Sequence, residues 1–320
     1  MRRDRKTTGP RRRAAARLAA VLTAGLLTTT LSVAPAAAED PEQIAWNDLL
    51  PGLEQGYDPS SSDVCRSGRL KCVDAVIREM ERRWKPLSSG CDHRAVFSLL
   101  YLRTTEAYRE AVTTPGFFDD PAFLNHYDAV FASYYFEQED LWYSGRRSEV
   151  APAWRVAFET AEQRGATGSG DMLLGMHGHI NRDLPFVLAE IGLVAPDGTS
   201  RKADHDRVYE FLNSSGQASV AEVARRYDPT IDDRDVPGTT LDQTAVFQVI
   251  QVWRERAWRN AERLVAARAL GPAAYAAVAE EIEQTAGAEA RTLAAATGNT
   301  TSPEGPAQRQ AWCAEHHDDR

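Results

Sequence analysis

The apolar positions of this chain recur every three or four residues over most of its length, the pattern of helices buried along one face. Val73, Ile77 and Met80 predict a helix over 74–84, closed by Pro86 and the Ser88-Ser89-Gly90 turn. Val96, Phe97, Leu99, Leu100 and Tyr101 make 93–112 apolar on nearly every side, as befits a central helix. Phe123, Tyr127, Val130, Phe131, Tyr134 and Tyr135 predict a third helix over 121–142, with Asp119 or Asp120 as its cap and Pro121 in its first turn. Trp154, Val156, Phe158 and Ala161 predict a fourth over 152–164. Short helices are expected at 204–212 and 218–227, a long one at 241–270, and an alanine-rich one at 272–296. Alternating β-branched runs bounded by turns are absent, and no repeat stands out. The expected fold is therefore all-α: a single globular domain of roughly eight to ten helices. It would occupy 73–296, between an irregular lead-in at 39–72 and a polar, loop-like tail at 297–320.

One stretch breaks the rule that apolar helices exclude polar groups. Residues 171–191 read D-M-L-L-G-M-H-G-H-I-N-R-D-L-P-F-V-L-A-E-I, with Ser169 or Asp171 as the cap. Burying such groups without partners costs roughly 2–7 kcal/mol each, so they must satisfy one another or hold a ligand. Pro185 removes a donor and predicts a kink in this central helix. Gly175 and Gly178 would let another backbone come near. His179 and Asp183 lie four residues apart and share a helical face. Such a pair can chelate a divalent metal such as zinc. Equally, Asp183 can fix the His179 ring by a hydrogen bond or pair with an arginine. His177 points roughly to the opposite side. Further metal ligands would have to come from His126, in N-H-Y-D, or His205, in D-H-D.

Composition changes the picture at the N-terminus first. Eight basic residues lie between Arg2 and Arg17, an apolar and small-residue run follows from Ala14 to Val33, and Ala34-Pro35-Ala36-Ala37-Ala38 closes it. That is the pattern of a secretory signal over 1–38, cut after Ala38, with a membrane anchor as the competing reading. The paired arginines leave both the general and the twin-arginine export routes open. Of the 37 basic and 46 acidic residues, the signal holds eight and one, so the remainder carries a formal charge of −16. A surface of that sign disfavours nucleic acid. Glycine-rich nucleotide loops and G-x-S-x-G are absent, which argues against nucleotide cofactors and a serine nucleophile. Cys65, Cys72, Cys91 and Cys313 are even in number in an exported chain, so two disulfides are expected among three possible pairings. Cys65 and Cys72 flank a short polar loop that a local bridge closes easily. Cys91 would then tie down the tail through Cys313.

The long helix carries W-R-E-R-A-W-R-N-A-E-R-L at 253–264. Its arginines either form an exposed charge lattice or bind an anion, and Arg256 and Arg259 are the candidate substrate-binding pair.

Several segments together resemble an uncharacterised domain-of-unknown-function family of helical proteins in high-GC bacteria. They are F-S-L-L-Y-L-R-T-T-E-A-Y at 97–108, A-W-R-V-A-F at 153–158, L-L-G-M-H-G-H-I-N-R-D-L-P-F-V-L at 173–188 and W-R-E-R-A-W-R-N-A at 253–261. The resemblance implies a helical fold and brings no activity. Gly175, His179, Asp183 and Pro185 also resemble, locally, the H-x-x-x-D helix of secreted zinc-dependent phospholipase C and S1–P1 nucleases. The H-x-x-x-E of that group has no counterpart, since Tyr209 stands four after His205, and the expected mature chain begins at Glu39 rather than tryptophan.

Two functional readings follow. One is a secreted, non-catalytic helical protein that binds a partner or small ligand at the cell surface, its buried polar cluster structural. The other is a metal-dependent hydrolase of phosphoesters or lipids acting through His179 and Asp183.

Overall fold

The computed structural model describes residues 56–231, 243–298 and 305–319. The export signal expected over 1–38 and most of the lead-in lie outside the described residues. The described chain is all-α. In order it forms α1 (Leu70–Ser89), α2 (Ala95–Val112), α3 (Pro121–Tyr143), α4 (Pro152–Glu162), α5 (Gly168–His177), a π-helical segment (Gly178–Asp183) and α6 (Leu184–Ile191). Then come α7 (Lys202–Tyr227), a short 3₁₀ turn (Pro229–Ile231), α8 (Gln243–Leu270), α9 (Pro272–Ala296) and α10 (Gly305–His316). No strand occurs among the described residues, and no described helix is long and apolar enough to cross a membrane.

The predicted elements are present, and their departures are instructive. Helix α1 runs past Pro86 for one further turn, because Pro86 still accepts from the Gly90 amide and the Ser89 hydroxyl, and Leu87 and Ser88 are buried. The two short helices expected at 204–212 and 218–227 are one helix, α7. It packs along α2 with Phe211, Val223, Ala224 and Tyr227 buried, so tertiary packing overrides the weak local propensity around Gly216. Asp120, not Asp119, caps α3, accepting from the Phe123 amide at 3.0 Å. Thr167, rather than Ser169 or Asp171, caps α5.

The tail is not all loop: α10 is a helix. Its inward face consists of Arg309 and Cys313, four residues apart, a stripe too sparse to register as hydrophobic periodicity. Cys313 is bridged to Cys91, and Cys65 to Cys72, as the loop lengths suggested. Arg309 enters the core beside them, donating to Asp171 at 2.6 Å, to His93 Nδ1 at 3.0 Å and to the Ala166 carbonyl at 3.2 Å. The Cys65–Cys72 loop is held from α3: His126 Nδ1 donates to the Cys65 carbonyl at 3.0 Å, and Asn125 donates to the Gly68 carbonyl at 2.9 Å.

Candidate functional site

The 171–191 stretch is not one kinked helix. It is α5, a turn of π-helix and α6, and the π turn packs against α3, α4, α8 and α9. Pro185 explains the placement. It cannot donate to the carbonyl four residues back, and it sits in the first turn of α6, where a donor is not needed. A π turn inside a helix often marks a functional position. Here it sets up two separate polar pairs, each between residues four apart. Gly175 and Gly178 admit aromatic rings rather than backbone: a Cβ at Gly175 would lie 2.2 Å from the Phe97 ring, and one at Gly178 would lie 3.1 Å from Trp154.

The first pair is His179 and Asp183, both buried. His179 Nδ1 donates to Asp183 Oδ2 at 2.9 Å, and Trp154 Nε1 donates to the same oxygen at 2.9 Å. Arg182 donates to Asp183 Oδ1 at 2.9 Å and bonds Glu283 at 2.8 Å. The His179 ring stacks flat on Phe131, with centroids 3.6 Å apart, and Tyr101 meets it edge-on at 4.5 Å. Because Nδ1 faces a carboxylate it carries the proton, and Nε2 presents a lone pair. That Nε2 is buried and has no hydrogen-bond partner among the described residues. Burial lowers the His179 pKa against the opposing pull of Asp183, so the ring stays neutral at pH 7.

The second pair is His177 and Asn181. His177 Nε2 donates to the Ala286 carbonyl at 2.9 Å, and its Nδ1 accepts from Asn181 at 2.8 Å. The Asn181 carbonyl oxygen accepts from Arg256, which also grips Glu289 with both nitrogens at 2.7 Å. Asn181, Arg256 and Glu289, with Arg263 and Glu281, line a cleft of about 180 Å3 between α8 and α9. Every polar atom of this second pair is used by the chain itself.

The remaining candidates are dispersed. His126 serves the disulfide loop, and His205 lies against Arg254 and Trp258. Among the described residues no three His, Cys, Asp or Glu side chains come together as a metal-holding group. Arg259 is exposed and paired with Glu255 and Glu262 at 2.9 and 3.0 Å.

Sequence spacing picked out His179 with Asp183 but not His177 with Asn181, and it missed the partners from other helices: Trp154, Phe131, Tyr101 and Ala286. It also passed over Asp128. This half-buried carboxyl has one oxygen shielded from solvent and without a partner among the described residues, and burial pushes its pKa up to about 8. Its charge would bear on the buried Tyr101 and Tyr108 hydroxyls.

Between the ordinary value of 3.8 and about 8, the folded state holds a proton on Asp128 that the unfolded state releases. Stability therefore falls as pH rises through that window. The buried His126, His177, His179 and His205 are shifted the other way by desolvation, so their contribution is lost as pH falls below about 6.5. Asp128→Asn should flatten the alkaline limb alone. In urea unfolding the variant is expected to gain on wild type progressively from pH 5 to pH 9. A difference between the two that does not change with pH would contradict this assignment.

Fold and site together define a disulfide-stapled, all-helical domain built around a histidine-bearing π turn. The chain belongs to a family of unknown function, DUF5995, whose model matches residues 73–296. The match ends before α10, so Arg309 and Cys313 lie beyond it. No curated protein and no solved structure gives a significant match.

Proposed function

We propose that this is an exported, non-catalytic helical protein that binds a partner or small ligand at the cell surface, and that the polar groups of 171–191 serve its fold. The observation that carries the reading is the saturation of Asp183 by three donors of its own chain, Trp154, His179 and Arg182. Buried polar groups satisfied in this way are the ordinary state of a protein core. Two disulfides are compatible with an oxidising compartment.

One observation favours the second reading, a metal-dependent hydrolase of phosphoesters or lipids. His179 Nε2 is unpartnered among the described residues, and its ring is oriented by a carboxylate. That is how a histidine is held when its other nitrogen takes a metal such as zinc. On that reading Asp183 stands behind the ligand rather than beside it. Arg256, already engaged by Asn181 and Glu289, would have to release one of them to bind an anionic substrate.

Metal content separates the two. Protein purified without chelator and then dialysed against trace zinc is expected to carry no stoichiometric metal while remaining folded. One equivalent of zinc in wild type, lost in a folded His179→Gln variant, would overturn the non-catalytic reading in favour of the second.

A further inference from the structure

The groups around Arg309 come from three separate places. His93 stands just ahead of α2, Asp171 lies in the first turn of α5, and Asp228 ends α7. All three are buried, and all fall within the stretch that the family model matches. Gly168 brings Asp228 in close: its amide donates to that carboxylate at 2.9 Å, and a Cβ there would lie 2.7 Å from the same oxygen. Two carboxylates, an imidazole and the Ala166 carbonyl thus surround one spot. They do not come together as a metal-holding group. Acceptors spread in this way suit a planar cation with several donors, which is what a guanidinium is.

Arg309, which fills the spot, comes from beyond the matched stretch and fits it incompletely. Its bonds to Asp171, His93 and Ala166 all run through Nη1. Its Nε stops 3.7 Å from Asp228 and has no hydrogen-bond partner among the described residues, and neither has Asp171 Oδ1 or His93 Nε2. Arg83, a buried arginine of the matched stretch, differs: it donates to carboxylates through Nε, Nη1 and Nη2.

The helix that delivers Arg309 is lightly held. Its buried residues are Arg309 and Cys313, and hydrogen bonds tie Trp312 and His317 to α7. The Cys91–Cys313 bridge latches it to the domain. Without Arg309 the pocket would keep two buried carboxylates and no cation, a costly state that favours taking up another.

We propose that His93, Asp171 and Asp228 form a guanidinium pocket of the domain, that Arg309 occupies it in cis, and that reduction of the Cys91–Cys313 bridge frees α10 and opens the pocket to an arginine side chain of a partner. The reductant would be a dithiol. Its thiolate attacks one sulfur of the bridge and expels the other cysteine as thiolate. Its second sulfur then displaces the first cysteine, so two electrons and two protons pass from the dithiol to the cysteines and the dithiol leaves as a disulfide. The proposal rests on the binding reading and gives it a partner class. Its failure would leave the metal measurement at His179 untouched.

Amide exchange of the full chain at pH 7 tests it, with N-acetylarginine amide as the probe and N-acetyllysine amide at equal ionic strength as the control. In oxidised wild type, exchange in α10 should ignore both. In Cys91→Ser with Cys313→Ser, a probe that binds only the open pocket should speed it about tenfold at ten times the dissociation constant. Lysine amide should do far less, because it lacks the fork. Adding Asp171→Asn should remove the response. Dithiothreitol followed by alkylation should label Cys91 and Cys313 while the rest of the chain stays folded. If the serine variant does not fold, Arg309→Ala empties the pocket with the latch closed, and arginine amide should then raise its Tm and not that of wild type. An unlatched α10 or an Arg309→Ala chain indifferent to arginine amide, an equal response to lysine amide, or a bridge reduced only on global unfolding overturns the proposal.

Discussion

Replacing Asp183 with alanine is expected to cost about 3–5 kcal/mol, the range found when one partner of a buried ionic cluster is removed. Asp183 is fully buried and receives donors from Trp154, His179 and Arg182. Without the carboxylate, an indole N–H, an imidazole N–H and part of a guanidinium lose their acceptor at once. A domain of ordinary stability holds about 5–15 kcal/mol in all, so the variant would be marginal at 37 °C. Asp183→Asn keeps the volume but turns an NH2 group toward donors, so it should also be strongly destabilising. A double variant, Arg182→Met with Asp183→Leu, should recover part of the loss by removing both charges together. Urea midpoints of the four proteins measure this. A single-variant cost below about 1 kcal/mol would mean that the π turn does not depend on Asp183.

Loss of the Cys91–Cys313 bridge is expected to be the other large effect. The two cysteines are 222 residues apart, whereas Cys65 and Cys72 are separated by 7. Loop-closure entropy assigns about 5 kcal/mol to the long loop and about 2 kcal/mol to the short one. The long bridge also holds α10, and with it Arg309, against His93 and Asp171. Cys91→Ser with Cys313→Ser should therefore lower the unfolding midpoint far more than Cys65→Ser with Cys72→Ser. It should also speed amide exchange in α10 before the rest of the chain, since Arg309 is then its one buried anchor, helped by the hydrogen bonds that link Trp312 and His317 to α7. Equal effects from the two double variants would show that strain or residual structure outweighs the entropic contribution.

Much of this was legible without the structure. Helical periodicity located the elements because each buries an apolar face broad enough to recur every three or four residues. Where the stripe was thin, as in α10, or where packing carried a helix through a weak point, as in α7 at Gly216, periodicity misplaced the boundaries. The His179–Asp183 pair of the central stretch was readable because positions four apart meet on any helix, whereas the His177–Asn181 pair, which obeys the same spacing, was not singled out.

The sequence by itself determined the helical class, the even set of cysteines and the pairing of His179 with Asp183, since each depends on local spacing or on counting. Only the tertiary structure decided what those groups are for. Trp154 arrives from α4, Phe131 from α3 and Tyr101 from α2, and together they bury the His179 ring and leave its Nε2 without a partner among the described residues. Arg256 is neutralised from α9, while the buried Arg254 meets the His205 carbonyl of α7 and has no acid partner among the described residues. Which charges find partners depends on side chains that are distant in sequence and adjacent in space, and a helical period carries no record of them.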